Sequence, residues 1–201
     1  MSDKFPNSAA DELLWKSFLQ GDNQAYASLY GRYVDILFMY GMQFSPDREL
    51  VKDCVQDVFV KIYNHRKNLS PTDNVKCYLF LALKNTLFNV FQKDKSSYHI
   101  DTVEPVFSAE YSMEDRLIAD ELEMEQKEKM NQILNALTPR QKEVIYYRYV
   151  EGMNIDDICK IMDMNYQSVQ NLIQRSLKKV RKTFTQKERS ALSIKLFPRC
   201  I

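Results

Sequence analysis

Gln167, Gln170, Asn171, Gln174 and Lys178 make up a set of side chains that can read the edge of a base pair. Their spacing of mostly three and four residues places them along one side of a helix. A Gln or Asn amide offers a donor and an acceptor together and pairs bidentately with adenine, while Lys neutralises phosphate. Arg175 lies within the same run, and Lys178, Lys179, Arg181 and Lys182 close it with a positive cluster. A solvated face with cations favoured by the helix C-terminus would look similar, so the neighbouring elements decide between the two accounts.

Those elements can be read from their caps. Val169, Ile173, Leu177 and Val180 form the apolar side of the same helix, which Asn165 caps and which runs to about Thr183. Upstream, Thr138, Pro139 and Gln141 spell a capping box with Pro at the first helical position, so a helix starts at Pro139 and runs to about Val150. Gly152 supplies a stop, and Asn154 caps a short helix over Ile155 to Met162. A helix, a short helix, a tight turn and a long basic helix are the plan of a helix-turn-helix, and this context favours duplex DNA as the ligand.

Four helices are expected in the N-terminal part. The first is Ala10 to Gln20, ending at Gly21. The second is capped by Asp22 or Asn23 and runs to about Met42. The third is capped by Ser45 ahead of Pro46 and runs to about Lys67. After a break at Ser70-Pro71 the fourth covers Asn74 to Lys93. The third helix has a broad core face of Val51, Cys54, Val55, Val58, Phe59 and Ile62, with Asp53, Gln56, Asp57 and Val60 opposite. In the fourth, Leu79, Leu83, Leu87 and Val90 form a core stripe. A second stripe carries Tyr78, Leu81, Asn85, Phe88, Asn89 and Gln92, ending in Lys93 and Lys95. Aromatics interleaved with amides can hold unpaired bases by stacking and hydrogen bonding; the plainer account packs Tyr78 and Phe88 against a neighbouring helix.

The chain has 201 residues, enough for one or two small domains, and 45% hydrophobic residues, enough for a core. No segment shows sustained strand alternation, so the fold class is all-α: two small helical domains joined by an acidic linker. The net charge of +1 is unevenly laid out: +1 over residues 1–95, −8 over 96–125 and +8 over 126–201. The expected organisation is therefore 9–95 as an N-terminal domain, 96–125 as an acidic flexible linker, 126–183 as the helix-turn-helix domain and 184–201 as a tail. Cys54, Cys77, Cys159 and Cys200 form no metal-binding spacing with His65 or His99 and read as reduced thiols of a cytoplasmic protein. No metal, cofactor or small-molecule substrate is expected, and no phosphate loop or nucleophile elbow points to an enzyme. One protein that this plan would fit is a plain helix-turn-helix regulator whose N-terminal helices sense a ligand or dimerise, which predicts a symmetric operator.

Three stretches resemble one family. Asp53 to Leu69, DCVQDVFVKIYNHRKNL, is similar to the polymerase-binding helix of bacterial sigma factors of the extracytoplasmic-function (ECF) group of the sigma-70 family. CYLFLALKNTLFNVFQK is similar to the segment that opens the downstream promoter element. LTPRQKEVIYYRYVEGMNIDDICKIMDMNYQSVQNLIQRSLKKVR resembles the fourth sigma region. The resemblance implies that Asp53, Gln56, Asp57 and Val60 dock the β′ coiled coil of core RNA polymerase. It also implies that Asn85, near the loop from His65 to Val75, helps read the melted −10 strand, and that Gln170, Asn171, Gln174 and Arg175 read the −35 duplex. With the stacking and phosphate candidates Tyr78, Phe88, Asn89, Lys93, Gln167 and Lys178, these complete the expected sites. The implied partners are core polymerase through its β′ coiled coil and β flap, promoter DNA, and a membrane-bound anti-sigma factor of the kind found with Bacteroidetes members, which this chain resembles in style. Tyr78-Leu79 stands where members often have Trp-Leu, and Gln170, Leu172 and Gln174 replace common basic or aromatic choices.

Overall fold

Carboxylates and amides at the chain's turns start most of its helices. In the computed structural model, which describes residues 8–97, 106–108 and 134–183, the chain divides into two units, residues 1–106 and 107–201. Among the described residues every regular element is helical, in line with the all-α expectation.

The N-terminal unit begins with α1, Ser8–Leu19, which closes on Gly21 at φ +106°, a conformation that favours glycine. α2, Asn23–Gly41, is capped by Asp22, whose carboxylate accepts from the backbone N–H groups of Gln24 at 2.8 Å and Ala25 at 3.2 Å. α3, Arg48–Asn64, is capped by Asp47 and not by Ser45 as expected: the Asp47 carboxylate accepts from Glu49 and Leu50 N–H, both at 3.1 Å. Ser45 Oγ instead accepts from the Asp47 N–H at 3.2 Å, so the serine braces the turn that presents the true cap. α3 also stops earlier than expected. The chain turns at His65 into a 3₁₀ turn, Arg66–Asn68. Asn74 then caps α4, Val75–Ser97, accepting from the Cys77 N–H at 2.9 Å.

All six expected core residues of α3 are buried, with Leu79, Phe80, Leu83 and Leu87 of α4, Tyr33, Leu37 and Tyr40 of α2, and Trp15 and Phe18 of α1. Tyr40 stacks on Phe80 with centroids 4.3 Å apart. One carboxylate lies inside: Asp11 accepts from the Tyr33 hydroxyl at 2.6 Å and pairs with the Arg32 guanidinium, tying α1 to α2.

In the C-terminal unit the capping box at Thr138 is formed in both directions. Gln141 N–H donates to the Thr138 hydroxyl and Thr138 N–H to the Gln141 side chain. The helix it starts, α5, covers Pro139–Ile145; the next five residues, Tyr146–Val150, wind as a π-helical turn where one α-helix to Val150 was expected. Tyr147 is buried in that turn, its hydroxyl donating to Glu143 Oε1 at 2.9 Å. The short helix α6, Ile155–Met162, and the long helix α7, Tyr166–Thr183, fall where their caps predict. Asn154 accepts from Asp157 N–H and Asn165 from Ser168 N–H, each at 2.8 Å. Phe107 and Ser108, which fall in the stretch read as linker, pack on this unit. The rest of that acidic stretch beyond Ser97 and up to 125, apart from 106–108, and the tail 184–201 lie outside the described residues.

Candidate nucleic-acid and protein interfaces

α7 is held by its apolar side: Val169, Ile173 and Val180 are buried, Leu177 half-buried. Asp163, at φ 50°, makes the left-handed turn that redirects the chain from α6 into α7. The opposite side presents Gln167, Asn171, Gln174, Arg175 and Lys178 to solvent, with Gln170 half-buried beside them. Gln167 Nε2 donates to Asn171 Oδ1 at 3.2 Å, which orients both amides and leaves each with donors or acceptors for a base edge. The helix sequence, YQSVQNLIQRSLKKVRKT, contains no carboxylate. Its positive field is thus uncompensated by acids of its own, which would favour a polyanion such as duplex DNA.

The outward side of α3 carries the second set. Asp53, Gln56 and Asp57 are exposed, and Val60 is 46% exposed among them. Two aromatics that sequence reasoning missed extend apolar surface from here: Tyr63 on α3 and Tyr30 on α2, each 41% exposed. Tyr30 packs edge-on against Phe59 at 4.8 Å, and Tyr63 sits 5.0 Å from Tyr26, whose hydroxyl donates to the Phe59 carbonyl at 3.2 Å. The only sequence signal for them is aromatic type at solvent-facing helical positions. On the inner side, burial pushes the Cys54 thiol up, helped by the charges of Asp57 and Asp53, so it stays a protonated core group.

The third set is split. Asn85, Asn89 and Lys93 of α4 are at the surface. Tyr78 is half-buried against Trp15 at 5.1 Å, and burial raises its hydroxyl above the usual tyrosine range. Phe88 is half-buried, edge-on to Phe44 at 5.9 Å with the Lys84 ammonium 5.8 Å from its ring. The loop between α3 and α4 exposes Lys67, Asn68, Ser70, Pro71 and Asp73. Trp15 Nε1 donates to the Ser70 carbonyl at 3.2 Å, and Asn74 N–H to the Thr72 hydroxyl at 3.2 Å. Among the described residues no group of three or more His, Cys, Asp or Glu side chains is placed to hold a metal ion, and no helix is long and apolar enough to cross a membrane.

The chain thus has the helices of a DNA-binding protein: a carboxylate-free basic helix in a helix-turn-helix in one unit, and in the other an α3 that turns a polar side to solvent over a full core. Its class is fixed by two family models: sigma-70 region 2 matches residues 29–96 and sigma-70, region 4 matches residues 127–180. The chain belongs to the sigma-70 family of RNA polymerase sigma factors, in its ECF group. It is 22% identical over 162 residues to the ECF RNA polymerase sigma factor SigX of Bacillus subtilis (strain 168), covering 79% of this chain and 83% of that protein. Its fold is that of CnrH, solved in complex with the cytosolic domain of CnrY (TM-score 0.57, 19% identity, 86% of this chain and 96% of that one). It is also that of the sigma factor RpoE of Bartonella quintana, solved with the anti-sigma factor NepR (TM-score 0.55, 17% identity, 79% and 95%). The protein is an initiation factor, not an enzyme: it binds core RNA polymerase and promoter DNA and directs transcription initiation.

Proposed function

We propose that Asp53, Gln56, Asp57 and Val60 of α3 seat on the β′ coiled coil of core polymerase, and that the C-terminal unit meets the β flap. The carrying observation is the two-sidedness of α3: its core residues are buried, while these four stand in solvent with an exposed valine among the polar groups. An apolar side chain flanked by acids and an amide suits a partner helix that offers both apolar and cationic side chains. The melted −10 strand lies against the α3–α4 loop and α4, with Asn85, Asn89 and Lys93 contacting bases and phosphate and Tyr78 and Phe88 supplying ring faces. Unstacking a base costs a few kcal/mol, and base–aromatic stacking returns about 1–3 kcal/mol. On the upstream side Gln167, Gln170, Asn171, Gln174 and Arg175 of α7 read the −35 duplex, and Lys178 holds phosphate.

Residues 9–95 serve as the −10 and polymerase domain, 96–125 as an acidic connector whose Phe107 and Ser108 pack on the C-terminal unit, 126–183 as the −35 domain and 184–201 as a tail. The protein works in the cytoplasm, held in reserve by a membrane-bound anti-sigma factor. Similarity of fold to a sigma factor solved with its anti-sigma factor supports an anti-sigma partner. Capture of core polymerase by wild type compared with Gln56→Ala/Asp57→Ala tests the docking face. Strong capture by wild type and loss in the folded double mutant are expected. Equal capture by both would move the docking face elsewhere.

A further inference from the structure

Resting on the assignment of the α3–α4 loop to the melted strand, we propose that Trp15 of α1 is the positioning residue that shapes this loop for base capture, with Lys67 and Asn68 as the groups it presents. Trp15 is 1% exposed, so its indole N–H needs a partner. That partner is the carbonyl of Ser70, a residue exposed in a loop 55 positions away, and not an atom of the surrounding core. A second pin holds the loop's start. The Arg66 guanidinium lies 5.7 Å from the centre of the Tyr63 ring and over Gly21, whose substituent would meet it at 3.9 Å. Gly21 sits in the turn that ends α1, so the loop is held by α1 at residue 70 and by the Tyr63 ring of α3 at residue 66, beside α1's last turn. Between the pins, Lys67 and Asn68 stand exposed, a cation for phosphate and an amide for a base edge. At the exit, Thr72 and Asn74 lock the chain into α4. A loop that reads an unstacked base must hold its shape before the base arrives, since each degree of freedom left open is subtracted from discrimination. α1 supplies that rigidity from outside the segments that touch the strand.

The test uses holoenzyme reconstituted from core polymerase and the full chain, with duplexes bearing a premelted bubble of randomised sequence; bound DNA is sequenced. Trp15→Phe keeps a ring against Phe18 and Tyr78 but removes the N–H. Phe18→Leu, which leaves the Trp15 N–H in place, controls for lost core packing. Trp15→Phe is expected to flatten the base preference at one bubble position by about fivefold, the worth of one hydrogen bond, with polymerase capture unchanged. Phe18→Leu is expected to lower the melting temperature while keeping the preference. A preference equal to wild type in Trp15→Phe overturns the proposal alone, as does an equal loss in both variants. Absence of any bubble preference in wild type removes the assignment of the loop and this proposal with it.

Discussion

The rings of Phe107 and Tyr146 lie 5.3 Å apart, centroid to centroid, joining a residue from an acidic stretch to the first residue of a π-helical turn. Phe107 is 2% exposed and also meets Tyr147 at 6.5 Å, and the Lys142 ammonium donates to the next carbonyl, Ser108, at 2.8 Å. Phe107 is thus a core residue of the C-terminal unit. Phe107→Ala should destabilise that unit by about 3 kcal/mol, the usual cost of emptying a buried aromatic site. Urea unfolding followed by circular dichroism measures the loss. The sole tryptophan, Trp15, belongs to the other unit, and its emission should keep its midpoint.

What could be read in advance was local. The Thr138 box, Asn154 and Asn165 each bond to a donor three residues away, so their helices start where the sequence puts them. Ser45 misled because two capping residues flank Pro46 and only the second faces two free N–H groups. Phe107 and the π turn were invisible because the residues that hold them are far along the chain or on a neighbouring turn. Tyr78 and Phe88 have a spacing compatible with either a stacking face or a core. Trp15 and Phe44, from other parts of the chain, are what draw them half inside.

Asp11 is the buried charge on which α1 and α2 converge. Asp11→Ala strands the buried Tyr33 hydroxyl while the Arg32 head, 36% exposed, stays in water, so the cost is that of an unsatisfied buried polar group, about 1–3 kcal/mol. Thermal unfolding should show the drop in the N-terminal unit. Tyr33→Phe, which removes only one of the two donors, should cost less.

Alkaline pH should unfold the N-terminal unit. Tyr33 is pushed well above the ordinary tyrosine value by burial, then by the hydrogen bond to Asp11 and its charge; burial also raises Tyr26 and Tyr78. A raised folded pKa means that the folded chain holds protons the unfolded chain releases, so stability is full below the unfolded value of 10.0 and falls as pH rises above it. Denaturant midpoints measured from pH 8 to 11.5 should be flat and then fall. Tyrosinate absorbance should rise late, together with unfolding.

Two glycines of α2 should respond oppositely to alanine. A Cβ at Gly41 would stand 2.6 Å from Val51 Cγ1, a buried side chain of α3, so Gly41→Ala forces two helices apart and should cost about 1–3 kcal/mol. At Gly31 a Cβ meets nothing within 4 Å, and the position is mid-helix. Gly31→Ala should stabilise by about 1 kcal/mol through helix propensity alone. Differential scanning calorimetry of the two variants reads both signs. A loss at Gly31 of the size seen at Gly41 would mean that its surroundings are not open.

On α7, charge and amide should separate in their dependence on salt and sequence. Lys178 is exposed on a helix without carboxylates, so Lys178→Ala should weaken holoenzyme binding to every −35 sequence alike and lower the slope of log affinity against log salt by about one. Gln174 is exposed four residues earlier and uncharged. Gln174→Ala should leave the slope unchanged and cost about 1–3 kcal/mol on the preferred base pair alone. Fluorescence anisotropy at four salt concentrations on a panel of −35 variants resolves the two patterns. A changed slope in Gln174→Ala, or a base-specific loss in Lys178→Ala, would reverse the roles assigned to them.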